Sequence, residues 1–70
     1  MKNMNEVYAK AKKVFDYHHV KVTMSDQIVY LKKGNGIFAG SLVINICEFC
    51  TENELIFIVA DGVFQICPRY

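Results

Sequence analysis

Ile37-Phe38-Ala39-Gly40-Ser41-Leu42-Val43-Ile44-Asn45-Ile46-Cys47-Glu48-Phe49 is the longest mostly apolar run in this chain, and the architecture turns on what it becomes. Its thirteen residues are interrupted by Ser41, Asn45 and Glu48, so it is too short to span a membrane as a helix. Read as a strand it is long, with Gly40 near its start marking a bulge or bend. Alternation then sets Leu42, Ile44 and Ile46 on one face and Val43, Asn45, Cys47 and Phe49 on the other.

The flanking segments support a strand reading. Upstream, Gly34-Asn35-Gly36 is the strongest turn signal in the chain, supplying positive-φ residues between two apolar runs. Before it, Val20, Val22 and Met24 alternate with Lys21, Thr23 and Ser25, and Ser25-Asp26-Gln27 turns the chain into a returning strand, Ile28–Lys33. Downstream, Thr51–Glu54 is a polar turn, Leu55–Ala60 a strand, Asp61-Gly62 a hairpin turn and Val63–Cys67 a last strand that Pro68 stops. At the front, Met4, Val7, Tyr8, Ala11, Val14, Phe15 and His18 form one apolar stripe at helical spacing. Asn3 followed by Glu6 resembles a capping box. The expected fold is α+β: one N-terminal amphipathic helix, over about residues 4–18, packed on a five-stranded antiparallel β-meander in a single domain, residues 1–70.

A two-residue turn at Asp61-Gly62 sets Ala60 against Val63, Val59 against Phe64 and Phe57 against Ile66. A second at Glu52-Asn53 sets Cys50 against Leu55, Glu48 against Phe57 and Ile46 against Val59. One face then collects Leu42, Ile44, Ile46, Cys50, Leu55, Phe57, Val59, Phe64 and Ile66, a coherent core marred only by Glu48. The opposite face, with Val43, Phe49, Ile56, Ile58 and Val63, is too apolar for water. Five strands at about 4.8 Å spacing make a sheet wider than one helix can cover. The surplus surface exceeds what a soluble monomer usually shows, so the sheet curls or the chain self-associates. The preferred expectation is a homodimer, with Phe38, Val43, Phe49, Ile56, Ile58 and Val63 as the protein-binding residues.

Length and composition bound the function. Seventy residues make one domain at most, excluding a doubly wound cofactor domain or a barrel enzyme. A chain this short buries only about 60% of its unfolded surface. With 53% hydrophobic and 21% charged residues, it supports a core and is not disordered. The net charge of +1 hides a basic first half, with seven lysines, and an acidic second half, with Glu48, Glu52, Glu54 and Asp61 against Arg69.

Chemistry-bearing residues are few. Cys47-Glu48-Phe49-Cys50, with Cys67 and His18-His19, suggests a small zinc-binding protein or a redox pair. Strand parity would point Cys47 and Cys50 to opposite faces, and Leu55–Ala60 would separate Cys47 from Cys67. The cysteines are therefore read as small hydrophobes, with no metal and no cofactor. His18 and His19 suit a helix C-terminus. No nucleophile sits in a recognisable base-paired context, and no enzyme is expected. Lys10, Lys12 and Lys13, with Lys21, Lys32 and Lys33 and with Tyr8, Tyr17 and Tyr30, offer an alternative: a nucleic-acid-binding regulator. Three cysteines behind a polar Met1–Tyr8 point to free thiols in the cytoplasm.

The element order, with Asn53-Glu54-Leu55-Ile56-Phe57-Ile58-Val59-Ala60 leading to Phe64-Gln65-Ile66-Cys67-Pro68, resembles the first half of the YbjN and type III secretion chaperone-like group. The similarity covers most of the chain in element order and apolar spacing. It implies a homodimer that holds client proteins on exposed sheet and helix surfaces, without catalysis. The group's further helix and strands have no counterpart in these residues.

Overall fold

Asn3 starts the first element. Its Oδ1 accepts the Asn5 amide at 3.0 Å, and its carbonyl accepts the amides of Glu6 and Val7 at 3.1 and 3.3 Å. Helix α1, Met4–Phe15, follows, burying Met4, Val7, Ala11 and Phe15 on one stripe. Val14, expected on that stripe, lies at its margin and is exposed. The computed structural model describes residues 3–15, 19–34 and 38–69. The expected extension of α1 through His18, most of the Gly34-Asn35-Gly36 turn, and Ile37 thus lie outside the described residues.

Strands β1, Val20–Ser25, and β2, Ile28–Lys33, form the expected hairpin around Asp26-Gln27. Both turn residues have positive φ, 51° and 66°. That is the type I′ geometry, whose twist matches the flanking strands.

The next element overturns the strand reading of Ile37–Phe49. Residues Gly40–Glu52 form a second helix, α2, which buries Leu42, Ile46, Phe49 and Cys50 at i, i+4, i+7 and i+8. A strand would have buried Ile44, which is 59% exposed on α2. Thirteen residues already exceed the usual length of a buried strand and suit a helix. The β-branched side chains at 43, 44 and 46 obscured this, since they favour strands locally and yield to packing. Ala39 is the N-cap and makes no side-chain hydrogen bond, so no capping residue announced the start. The end is better marked. Asn53 donates to the Phe49 carbonyl from its amide at 3.2 Å and from Nδ2 at 2.8 Å, and Glu54 takes φ 55°.

Strands β3, Leu55–Ala60, and β4, Val63–Pro68, pair in the expected register: Ala60 with Val63, Val59 with Phe64, Phe57 with Ile66. The sheet is four-stranded and antiparallel in the order β1-β2-β4-β3, not a five-stranded meander. β4 fills the centre beside β2, and β3 is an edge. Leu55 and Pro68 are partners, a position where Pro68 faces β3 without needing an N–H.

Both helices lie on one side of the sheet. α1 packs on β1 and β2, α2 packs on β3, and the Phe15 and Phe49 rings join them edge to face at 5.4 Å. Their buried residues and Val20, Val22, Val29, Leu31, Leu55, Phe64 and Ile66 form one core. The second helix supplies the cover that one helix could not. Glu48, awkward in a strand core, is exposed on α2.

Candidate protein-binding surface

Because both helices occupy one side, no described element covers the other side of the sheet, which is bare among the described residues. Registers place Ile56, Ile58 and Ala60 of β3 and Val63, Gln65 and Cys67 of β4 on it, paired as Ile56 with Cys67, Ile58 with Gln65 and Ala60 with Val63. Across the sheet, Gln65 meets Tyr30 and Val63 meets Lys32. The far edge pairs Thr23 with Tyr30 and Lys21 with Lys32. The bare side therefore divides into an apolar half over β3 and β4 and a polar, basic half over β1 and β2. Ile56 and Ile58 are 43% and 56% exposed.

Of the six residues expected to bind protein, Ile56, Ile58 and Val63 share this surface. The other three do not, since residues 40–52 are helical. Phe49 is buried against Phe15, and Val43 is half-buried on α2 against the core. Phe38 lies on the helical side, its ring 4.6 Å from that of Phe64. Val59 falls on the expected core face but is 53% exposed. Its parity is right and its position is not, because β3 is an edge that no helix fully overhangs. Strand order is a long-range property, and no local pattern carries it.

The lysines are divided. Lys10, Lys12 and Lys13 sit on α1, where Lys10 Nζ donates to Asn53 Oδ1 at 3.5 Å and Lys12 Nζ stands 5.8 Å from the Tyr8 ring. Lys21 and Lys32 project from the opposite side of the sheet.

Cys47 and Cys50 lie one turn apart in α2, so the strand-parity argument for separating them fails. Cys47 is exposed, Cys50 buried and Cys67 half-buried, all as free thiols. Burial pushes the Cys50 thiol up to about 11, with Cys47 and Cys67 adding to the rise. A thiol held neutral is a poor nucleophile or metal ligand, and the pair closes a helix where a reactive pair would open one. Among the described residues no group of three or more His, Cys, Asp or Glu side chains is placed to hold a metal. No polar or charged residue among them is buried.

No helix among the described residues is long and apolar enough to cross a membrane. The chain matches no family model, and no curated protein or solved structure matches it significantly.

Proposed function

We propose that this chain is a small non-enzymatic protein-binding module, an adaptor, chaperone-like protein or inhibitor, that self-associates and works in the cytoplasm. The observation that carries the reading is the bare apolar half of the sheet, where Ile56 and Ile58 stand in water with Ala60, Val63 and Cys67 beside them. Contiguous exposed apolar surface of this kind marks interaction sites. Three free thiols suit a reducing compartment. The chaperone-like form of the reading draws on the resemblance in element order.

The test is Ile58→Asp, followed by light scattering and far-ultraviolet circular dichroism with reductant present. The expected outcome is loss of self-association with the helical signal intact. A variant that remains folded and oligomeric removes this surface from the reading. Binding to nucleic acid that weakens steeply with salt would shift the function to the lysines instead.

A further inference from the structure

We propose that β3 pairs antiparallel, about a two-fold axis, with β3 of a second copy of this chain, joining two sheets into one of eight strands. This rests on the reading above, of a self-associating protein-binding module, and names both the partner and the contact.

The backbone phase decides which groups face outward. Asp61 and Gly62, with φ 53° and 73°, form a two-residue turn closed by Ala60 and Val63. In such a hairpin the closing pair shares hydrogen bonds, and hydrogen-bonded pairs then alternate along the ladder. Ala60, Ile58 and Ile56 thus direct their backbone groups to β4. The Arg69 amide continues the phase by donating to the Glu54 carbonyl at 3.2 Å. Leu55, Phe57 and Val59 are left directing their N–H and C=O groups away from the sheet; Phe57 and Val59 are accessible there, whereas Leu55 is 2% exposed.

That edge is complementary to itself. With the axis at Phe57, Phe57 faces Phe57 of the other copy and Leu55 faces Val59; the central pair forms on accessible backbone, and the two flanking pairs form as Leu55 is uncovered. Ile56 of each copy faces Ile58 of the other at the positions where cross-strand side chains approach most closely. Four isoleucines then cover one another on the bare side, and Val59 gains cover on the helical side. Glu54 falls opposite Ala60, and Asp61 opposite Asn53, so no like charges are directly paired, while Glu54 of one copy stands one position from Asp61 of the other at each end. The layer above is equally permissive. Phe49 points α2 at α1, so at 100° per residue Val43 and Cys47 occupy the flank toward β3, without charge. Stacking the two bare faces would instead press Lys21 and Lys32 against a second sheet, and a buried unpaired charge is costly.

The seam, from Leu55 to Val59, is about 14 Å long, four residue rises. Such an interface sits at the small end of stable complexes, so a dissociation constant of the order of micromolar is expected.

The experiment is sedimentation from about 1 to 500 µM, with reductant, on the wild type and three variants whose folding is checked by circular dichroism. Val59→Pro removes one outward N–H and leaves the bonds to β4. Val59→Lys keeps that N–H and puts a charge on the seam. Val63→Asp charges the bare face away from the seam. The expected result is a wild-type dimer that both Val59 variants weaken at least tenfold and Val63→Asp preserves. In the same titration, amide exchange at Phe57 and Val59 slows as concentration rises, while Val22 and Met24 on the other edge stay fast. A wild type monomeric throughout overturns the seam. So does a dimer that Val63→Asp dissociates and the Val59 variants do not, an outcome that keeps the bare face as the self-association surface. The reverse pattern keeps the seam and removes Val63 from the function.

Discussion

The two edge strands of the sheet treat the same exposed backbone differently. β1, Val-Lys-Val-Thr-Met-Ser, alternates cleanly: Val20 and Val22 are buried, while Lys21, Thr23 and Ser25 face water. A lysine in mid-strand is a common defence against unwanted pairing. β3, Leu-Ile-Phe-Ile-Val-Ala, has no polar side chain in six residues, and four of those residues are exposed. It has no bulge, proline or charge. One edge carries a device against pairing and the other carries none.

The largest effect expected separates β3 from the strand that holds it. Ile66 is fully buried in β4 and partners Phe57, so Ile66→Ala should lower stability by about 3–4 kcal/mol in chemical denaturation. Ile58→Ala, on the exposed edge, should stay within about 0.5 kcal/mol for the dilute chain. Comparable losses at both sites would mean that β3 is no true edge. Next, Lys21→Ile would make the edges alike, and species larger than a dimer should sediment above the wild type. If none form, the lysine is not what protects β1.

Smaller effects fall on the turns. Gln27 sits at φ 66° where the matching position of the β3–β4 hairpin has Gly62. Gln27→Gly should stabilise the fold by up to about 1 kcal/mol, and Gly62→Ala should destabilise it by a similar amount. The least conspicuous change is with pH. Cys50 stays protonated in the folded chain up to about 11 but ionises near 9.0 when unfolded. Between those values the unfolded state has lost a proton that the folded state retains, so stability falls as pH rises from about 9 to 11. A thermal scan series in that window, repeated on Cys50→Ala, should show the slope flattened in the variant.

Much of this fold was legible locally. The α1 stripe, the Asn3 cap, the first hairpin and the register of the second follow from patterns spanning a dozen residues, whereas the register drawn around Glu52-Asn53 falls with the strand reading of residues 40–52. The reading failed at residues 40–52, where an apolar segment rich in Val and Ile carries both periods and its N-cap alanine gives no signal. The site residues failed with it, since Phe49 and Val43 belong to a sheet only if that segment is a strand. Ile56, Ile58 and Val63 still share one sheet face, because their hairpin is set by Asp61-Gly62 alone. Val59 was missed because an edge is defined by which strand lies elsewhere.

The strand order has one more consequence, for the time course of folding. β4 is made after every other element described, yet it occupies the middle of the sheet. Each hairpin can close within microseconds from neighbouring residues, but β2 and β4 meet only after a connection through α2 and β3 has been drawn together. A chain emerging from synthesis therefore carries the first hairpin with the inner edge of β2 open, and that edge stays unfilled until the second hairpin arrives.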